Sequence, residues 1–256
     1  MNYKKTLAGV LAALITLTGC SKEELNDFVQ NISNDTEVSD TNKDYVEEEN
    51  VVEVIDNTEL ISEVENEIKE KEVMYLGYIK NDTKVYDDTL ETNIISEIGK
   101  FQKVVITKET DYYYFIEDEN GIVGFINNED AGILPDMFVE VDISSQTVNF
   151  YIDNELYMTT PCVTGNGGIH TRMGYFEIAY KAYDTYLKGP GYKSHVYFWM
   201  PFDQAIGLHD ADGWRSEYGG DIYLTNGSHG CINMPYEAAE TIYNNVSAGT
   251  KVLVHK

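Results

Sequence analysis

The sequence predicts a mainly β chain with one or two helices, in which a small β-barrel and a larger β-rich domain follow an acidic linker. Three observations lead there. From Val73 onward apolar and polar residues alternate in short runs, the period of half-buried strands. Turn residues interrupt those runs at close spacing, as at Asn81-Asp82, Asp87-Asp88 and Glu119-Asn120-Gly121. A convincing helical period occurs only after Pro235, where Ala238, Ala239, Ile242, Tyr243 and Val246 share a face and proline suits the first turn. With 256 residues, 43% of them apolar, the chain has material for one good-sized core and a smaller module.

At the N-terminus, Lys4 and Lys5 precede an uncharged run from Thr6 to Gly19. That run is too short to span a bilayer as a helix and suits the apolar region of a signal peptide. It ends in Leu17-Thr18-Gly19-Cys20, which resembles the lipobox of bacterial lipoproteins. The resemblance implies a signal peptide over 1–19, cleavage before Cys20, acylation of its thiol, and residence at the extracytoplasmic face of the membrane.

The linker is expected over 20–72. Between Ser21 and Glu72 there are 18 Asp and Glu against 4 Lys, with no Gly or Pro and almost no aromatic residues. Such a segment buries too little apolar surface to offset chain entropy, and its charge favours an extended spacer. Leu60, Ile61, Val64 and Ile68 recur at helical spacing and suit one short exposed helix within it.

The small barrel is expected over 73–132, with strands at Met74–Ile79, Lys84–Tyr86, Lys103–Thr107, Tyr112–Glu117 and Ile122–Ile126. Its element order and the closing Gly121-Ile122-Val123-Gly124-Phe125-Ile126 resemble a bacterial SH3-like module. A boundary follows at Ala131–Pro135. The domain over 134–256 opens with a hairpin, Phe138–Ile143 and Thr147–Ile152 around Ser144-Ser145-Gln146. Further strands are expected at Glu155–Val163, Gly174–Ala182, His195–Met200 and Lys251–His255.

The formal charge of −26 argues against a nucleic-acid partner, because phosphate-backbone affinity comes largely from Lys and Arg. Three cysteines remain to be explained. With Cys20 assigned to lipid, Cys162 and Cys231 are left. Cys162 sits in the strand-like Thr160–Gly165 stretch, where a cysteine usually acts as a small buried apolar residue.

Cys231 lies in Ser228-His229-Gly230-Cys231-Ile232-Asn233. A thiol with a pKa of about 8.5 is mostly protonated at neutral pH, so a nucleophilic cysteine needs a base or a positive dipole. Imidazoles are at hand in His209, within Ile206-Gly207-Leu208-His209-Asp210, and in His229. Gly230 permits a tight bend that presents the thiol and converges backbone N–H groups. Local chemistry alone leaves nucleophile and inert buried thiol evenly matched. A zinc site of His209, His229 and Cys231 lacks a further Cys or His at paired spacing, and no metal is assigned.

The hexapeptide Ser228–Asn233 matches, residue for residue, the Ser/Thr-His-Gly-Cys-hydrophobic-Asn signature of the L,D-transpeptidases, the YkuD-domain family. His209 matches the family's upstream histidine, at a spacing stretched by an apparent insertion over Trp214–Tyr223. Val163–Asn166, Lys188–Tyr192, Trp199–Phe202 and Trp214–Ser216 also resemble Gram-positive members. Thr171-Arg172-Met173-Gly174 departs from the usual Thr-Pro-Thr-Gly, which is expected to loosen a turn and leave the site untouched.

The resemblance spans about 135–256. It implies Cys231 as nucleophile, His209 as general base, His229 as support for the thiolate or oxyanion, and backbone N–H groups at Gly230 and Cys231 as the oxyanion hole. Tyr192, Trp199, Arg215, Ser228 and Asn233 are the substrate-binding candidates; packing competes for the two aromatics, an ion pair for Arg215, which also suits a carboxylate as a planar fork, and a turn-holding role for Asn233. The resemblance implies an enzyme without cofactor that acts on peptidoglycan stem tetrapeptides, forms 3-3 cross-links through a cysteine thioester, faces the cell wall and is acylated by carbapenems. An L,D-carboxypeptidase, a wall-attachment transferase and a non-catalytic wall-binding lipoprotein are the competing readings. Oligomeric state is not legible.

Overall fold

The computed structural model describes residues 70–166, 171–189 and 191–256. The expected signal peptide, Cys20 and nearly all of the acidic linker, together with His170 and Pro190, lie outside the described residues. The chain divides at Glu70/Lys71, and the unit Lys71–Lys256 holds three sheets and two helices.

The first sheet contains β1 (Lys71–Ile79), β2 (Thr83–Tyr86), β3 (Ile94–Ile98), β4 (Lys103–Glu109), β5 (Tyr113–Asp118), β6 (Val123–Asn127) and β7 (Ala131–Ile133). Its order is β3-β2-β6-β5-β4-β1-β7. Ile79, Val85, Ile98, Val104, Ile106, Ile116, Ile126 and Ala131 form its own core, so this sheet is organised by apolar residues separate from those of the rest of the chain. Strand β3 went unexpected because three of its five residues, Ile94, Ile95 and Glu97, are exposed, and only Ile98 is buried.

The second sheet has the order β10-β9-β8-β16-β11, built from β8 (Phe138–Asp142), β9 (Thr147–Ile152), β10 (Glu155–Pro161), β11 (Gly174–Glu177) and β16 (Lys251–His255). The expected hairpin is present, with Asp142 opposite Thr147 and the Asp142 carboxylate accepting the Ser144 N–H at 2.8 Å. The C-terminal strand β16 pairs in parallel with β8, which seats the end of the chain in the middle of this sheet.

The third sheet, β12-β13-β14-β15, consists of β12 (Ala182–Gly189), β13 (Tyr192–Asp203), β14 (Ile206–Asp210) and β15 (Ile232–Met234). The single strand expected over Gly174–Ala182 is therefore two. Between them the chain crosses from one sheet to the other: the Ile178 N–H bonds to Thr250 beside β16, and the Ala179 N–H bonds to Pro201 on β13. Strands β14 and β15 are buried on both faces, so neither shows the alternation by which strands are recognised.

A short helix α1 (Ile222–Asn226) lies between β14 and β15. Helix α2 (Tyr236–Asn245) follows Pro235 as expected and buries Ala238, Ala239 and Ile242 against β13 and β14. The second and third sheets and α2 enclose one core that includes Val139, Val141, Phe150, Cys162, Met200, Leu208, Ile232 and Met234.

A third apolar cluster joins the first sheet to the second. Leu134, Phe138, Tyr151 and Leu253 pack with Leu76, Tyr78, Phe101 and Tyr175, and the rings of Tyr78 and Tyr175 stack at 4.2 Å. Beside it Lys103 of β4 reaches across to Glu140 of β8, Nζ to Oε1 at 2.6 Å. Glu140 is itself buried and also accepts from Asn149, Tyr151 and the Nε2–H of His255.

Candidate active site

The parallel pair β14–β15 brings the two chemically suggestive segments together. Its register sets Leu208 opposite Ile232, His209 opposite Asn233 and Asp210 opposite Met234. Stepping back one residue places Cys231 beside Gly207. Cys231 immediately precedes β15, and its sulfur meets the Gly207 N–H. It lies one strand over from His209 and two residues offset, about 8 Å between Cα atoms by standard strand spacings.

Gly207 is glycine for a reason of space. A Cβ there would stand 2.5 Å from the Met200 carbonyl and 2.8 Å from the Trp199 ring, so any side chain would push β14 off β13. At Gly230 the reason is conformational, since φ is +105°, a region closed to most side chains.

The Cys231 thiol is pushed up to about 11 by burial, with the Gly207 N–H pulling it part of the way back. Its Sγ–H donates to the Ala205 carbonyl at 3.7 Å. At neutral pH this is a protonated thiol, and it needs a base. His209 is 3% exposed and burial lowers its pKa, with the Arg215 charge acting in the same direction. The ring is therefore neutral. Its Nδ1 lies 2.8 Å from the Asp210 carbonyl; a carbonyl only accepts, so Nδ1 carries the proton and Nε2 holds the free lone pair. Trp199 and Trp214 flank the imidazole, with ring centroids 5.8 and 5.9 Å away.

The turn before the cysteine is tightly bonded. Ser228 Oγ donates to the Cys231 carbonyl at 2.5 Å and accepts the Gly230 N–H at 3.0 Å, so this hydroxyl is spent inside the turn. The Gly230 N–H is likewise engaged, whereas the Cys231 N–H has no acceptor among the described residues. Asn233 is buried and its backbone pairs in both directions with Val163, at 2.9 and 3.0 Å, tying the motif to the Cys162–Gly165 strand.

His229 is exposed, and Tyr192 stacks on it at 4.9 Å and 14° between planes. The Tyr192 hydroxyl is raised by burial and then by the neighbouring Cys231 sulfur, which puts the tip of the β12–β13 hairpin beside the thiol. Trp199 is buried, and its Nε1–H donates to the Tyr180 hydroxyl at 3.3 Å. Arg215 donates from Nη2 to the Asn226 carbonyl at 2.9 Å. Its Nε and Nη1 are buried and unpartnered among the described residues, and burial lowers its pKa.

Cys162 is a free, fully buried thiol whose pKa is driven up by burial and by Asp142. It packs in the core away from bulk solvent, in keeping with the apolar role expected for it.

Sequence reasoning missed the residues that hold this arrangement. Asp210 Oδ1 accepts the N–H groups of Tyr197 and Phe198, both at 2.8 Å, pinning β13 to β14 beside His209. Gln146 bonds to Thr164 through both side-chain termini. Two residues of Thr171–Gly174 belong with them. Thr171 Oγ1 donates to the Gly230 carbonyl at 2.8 Å, and Arg172 pairs bidentately with Asp203, two residues before Ala205. A buried threonine bonding a residue 59 positions away leaves no local signal.

A family model described as the L,D-transpeptidase catalytic domain matches residues 136–254. A search of curated proteins returns no match. Among solved structures, an Enterococcus faecium L,D-transpeptidase C442S mutant is 28% identical over 70% of this chain and 76% of its own, with a TM-score of 0.47. The catalytic domain of the E. faecium L,D-transpeptidase is 39% identical over 48% of this chain and 100% of its own, with a TM-score of 0.45. The same domain acylated by ertapenem matches with the same figures, 39%, 48%, 100% and 0.45. The match of residues 136–254 to that family model identifies this part of the chain as a YkuD-family L,D-transpeptidase catalytic domain.

Proposed function

We propose that the protein is a cysteine-dependent peptidoglycan L,D-transpeptidase that forms 3-3 cross-links between stem peptides. The observation that supports this reading is the β14–β15 register, which sets the segment of His209 beside the one that Cys231 leads into, with the His209 Nε2 lone pair free. In the first step Nε2 takes the thiol proton, sulfur bonds to the carbonyl carbon after the diamino acid at stem position three, and the carbonyl π pair moves to oxygen. Collapse of that oxyanion expels the terminal D-residue as an amine, which leaves with the proton held on His209. An amine from a neighbouring stem then attacks the thioester, gives its proton to Nε2 and returns the thiol.

Arg215 is the group we assign to a substrate carboxylate, on the ground that its Nε and Nη1 lack partners among the described residues. Tyr192, His229 and Trp199 wall the acyl-donor site. The first sheet is proposed as an SH3-like wall-contacting module, and residues 1–19 and Cys20 as a lipoprotein signal and anchor that hold the enzyme at the extracytoplasmic face of the membrane. These placements rest on the sequence.

The E. faecium domain solved as its ertapenem adduct suggests the probe. After exposure to a carbapenem, intact-mass analysis is expected to show one adduct, mapping to Cys231 and missing in Cys231→Ala. No adduct, or one on Cys162, refutes the reading. Incubation of the unmodified enzyme with a stem tetrapeptide separates transfer from hydrolysis: formation of cross-linked dimer supports a transpeptidase, and formation of tripeptide alone supports an L,D-carboxypeptidase.

A further inference from the structure

The peptide that joins Gly230 to Cys231 is held from behind by one hydroxyl. Thr171 is 5% exposed; its Oγ1 accepts the Gly165 N–H at 2.9 Å and donates to the Gly230 carbonyl at 2.8 Å. A hydroxyl has a single proton, so the direction of this chain is fixed: Gly165 amide to Thr171 oxygen, Thr171 hydrogen to Gly230 oxygen.

The Gly230 carbonyl and the Cys231 N–H belong to the same planar trans peptide and point in opposite directions. Drawing the carbonyl toward Thr171 therefore turns the Cys231 N–H away from the buried hydroxyl. The other polar groups of the turn are committed, the Gly230 N–H and the Cys231 carbonyl both to Ser228 Oγ. The Cys231 N–H is left without an acceptor among the described residues. Gly230, at φ +105°, permits the backbone to take this orientation.

We infer that Thr171 is a positioning residue that aims the Cys231 N–H as the oxyanion donor of the acylation step. The inference rests on the acyl-transfer reading above. As the carbon–sulfur bond forms and the carbonyl π pair moves to oxygen, the new negative charge meets an N–H already turned toward it, so no peptide rotation is needed during the reaction. Thr171 touches neither substrate nor sulfur; it acts through the peptide plane.

Two reactions of the same thiol separate aiming the donor from placing the nucleophile. Acylation by a carbapenem passes through an oxyanion. Alkylation by iodoacetamide displaces iodide at carbon and forms none. In the full-length protein, Thr171→Val keeps the shape and deletes both hydrogen bonds, whereas Thr171→Ser keeps the hydroxyl. Removing an oxyanion donor outright slows catalysis by about 10²–10³-fold. A misdirected donor is therefore expected to slow acylation of Thr171→Val by roughly 30- to 300-fold, with its alkylation rate within about twofold of the parent.

Thr171→Ser is expected to restore acylation to within about fivefold. Should the valine variant not fold, Thr171→Ala removes the same bonds and carries the same expectation. Equal acylation of parent and valine variant overturns the inference. So does a parallel fall in acylation and alkylation, since Thr171 would then place the sulfur. A parent protein that is not acylated at Cys231, yet is alkylated there, removes the acyl-transfer reading itself.

Discussion

Replacing Lys103 with methionine removes the one cation that crosses from the first sheet to Glu140 of the second, and the consequence is calculable. Glu140 is 1% exposed. Burial alone would raise its pKa, but hydrogen bonding to His255 and the charge and hydrogen bond of Lys103 bring it from 4.5 down to about 2. A depression from 4.5 to about 2 corresponds to roughly 3 kcal/mol at about 1.36 kcal/mol per unit. His255 supplies part of it, so loss of Lys103 is expected to cost about 2–3 kcal/mol. For a unit of this size the melting temperature should fall by roughly 5–10 °C.

The pH dependence has a definite sign. The Glu140 pKa is depressed, so its contribution is complete above about 4.5 and is lost as pH falls through about 2. The His255 pKa is raised above 6.5 by Glu140 against the opposing effect of burial. Its contribution is complete below 6.5 and fades as pH rises through the folded value. Without Lys103 the imidazolium becomes the carboxylate's principal cation. Urea unfolding of parent and Lys103→Met at about pH 5.5 and about pH 8 should therefore show the larger loss at the higher pH. A loss equal at both, or larger at the lower pH, refutes the reasoning, and a variant within ~0.5 kcal/mol of parent at both removes the ion pair's role.

Two further outcomes follow from the site. Acylation of Cys231 should rise with pH along a limb centred below 6.5, because burial lowers the His209 pKa and only the neutral ring accepts a proton; His209→Ala should lose that limb and about 10²–10⁴-fold in rate. A limb that survives in His209→Ala assigns the base elsewhere. Arg215→Met should cost about 10- to 100-fold in kcat/KM on donors ending in a free carboxylate and little on the same donors amidated, since a charge-assisted bond is worth about 1.5–3 kcal/mol. Equal losses on both donors would make Arg215 a packing residue.

The parts of the fold legible in the sequence are those whose two faces differ. Strand β9 alternates between the core and the Asn149 side, and α2 announces itself through Pro235 and the Ala238, Ala239, Ile242 stripe. Strand β14 carries His209, and β15 directly follows Cys231; both were hidden for the opposite reason. Leu208, His209 and Asp210, like Ile232, Asn233 and Met234, are all buried, and β15 is only three residues long. Helix α1 has five residues and no side-chain cap, which left it without a start signal.

The chemistry was more legible than the scaffold under it. Cys231 and His229 carry their meaning in a contiguous motif, and His209 in its own side chain. Thr171, Gln146 and Asp210 act through hydrogen bonds to backbone 12 or more residues away, and such pairings come into being only with the topology. Ser228 is the intermediate case. Its position in the motif was legible, and its commitment to the turn was not.

Because β14 and β15 are neighbours in a parallel ladder, the spacing between His209 and Cys231, the proposed base and nucleophile, is a property of strand register and owes nothing to the length of chain between them. Everything from Ala211 to Gly227 is carried on a loop whose two ends are fixed by the ladder, with Arg215, Trp214 and α1 upon it. Insertions and deletions there alter the walls of the site while its reactive pair stays in place. On the proposed mechanism, selection can thus redraw donor preference in that stretch without disturbing proton transfer, and an engineer has the same freedom.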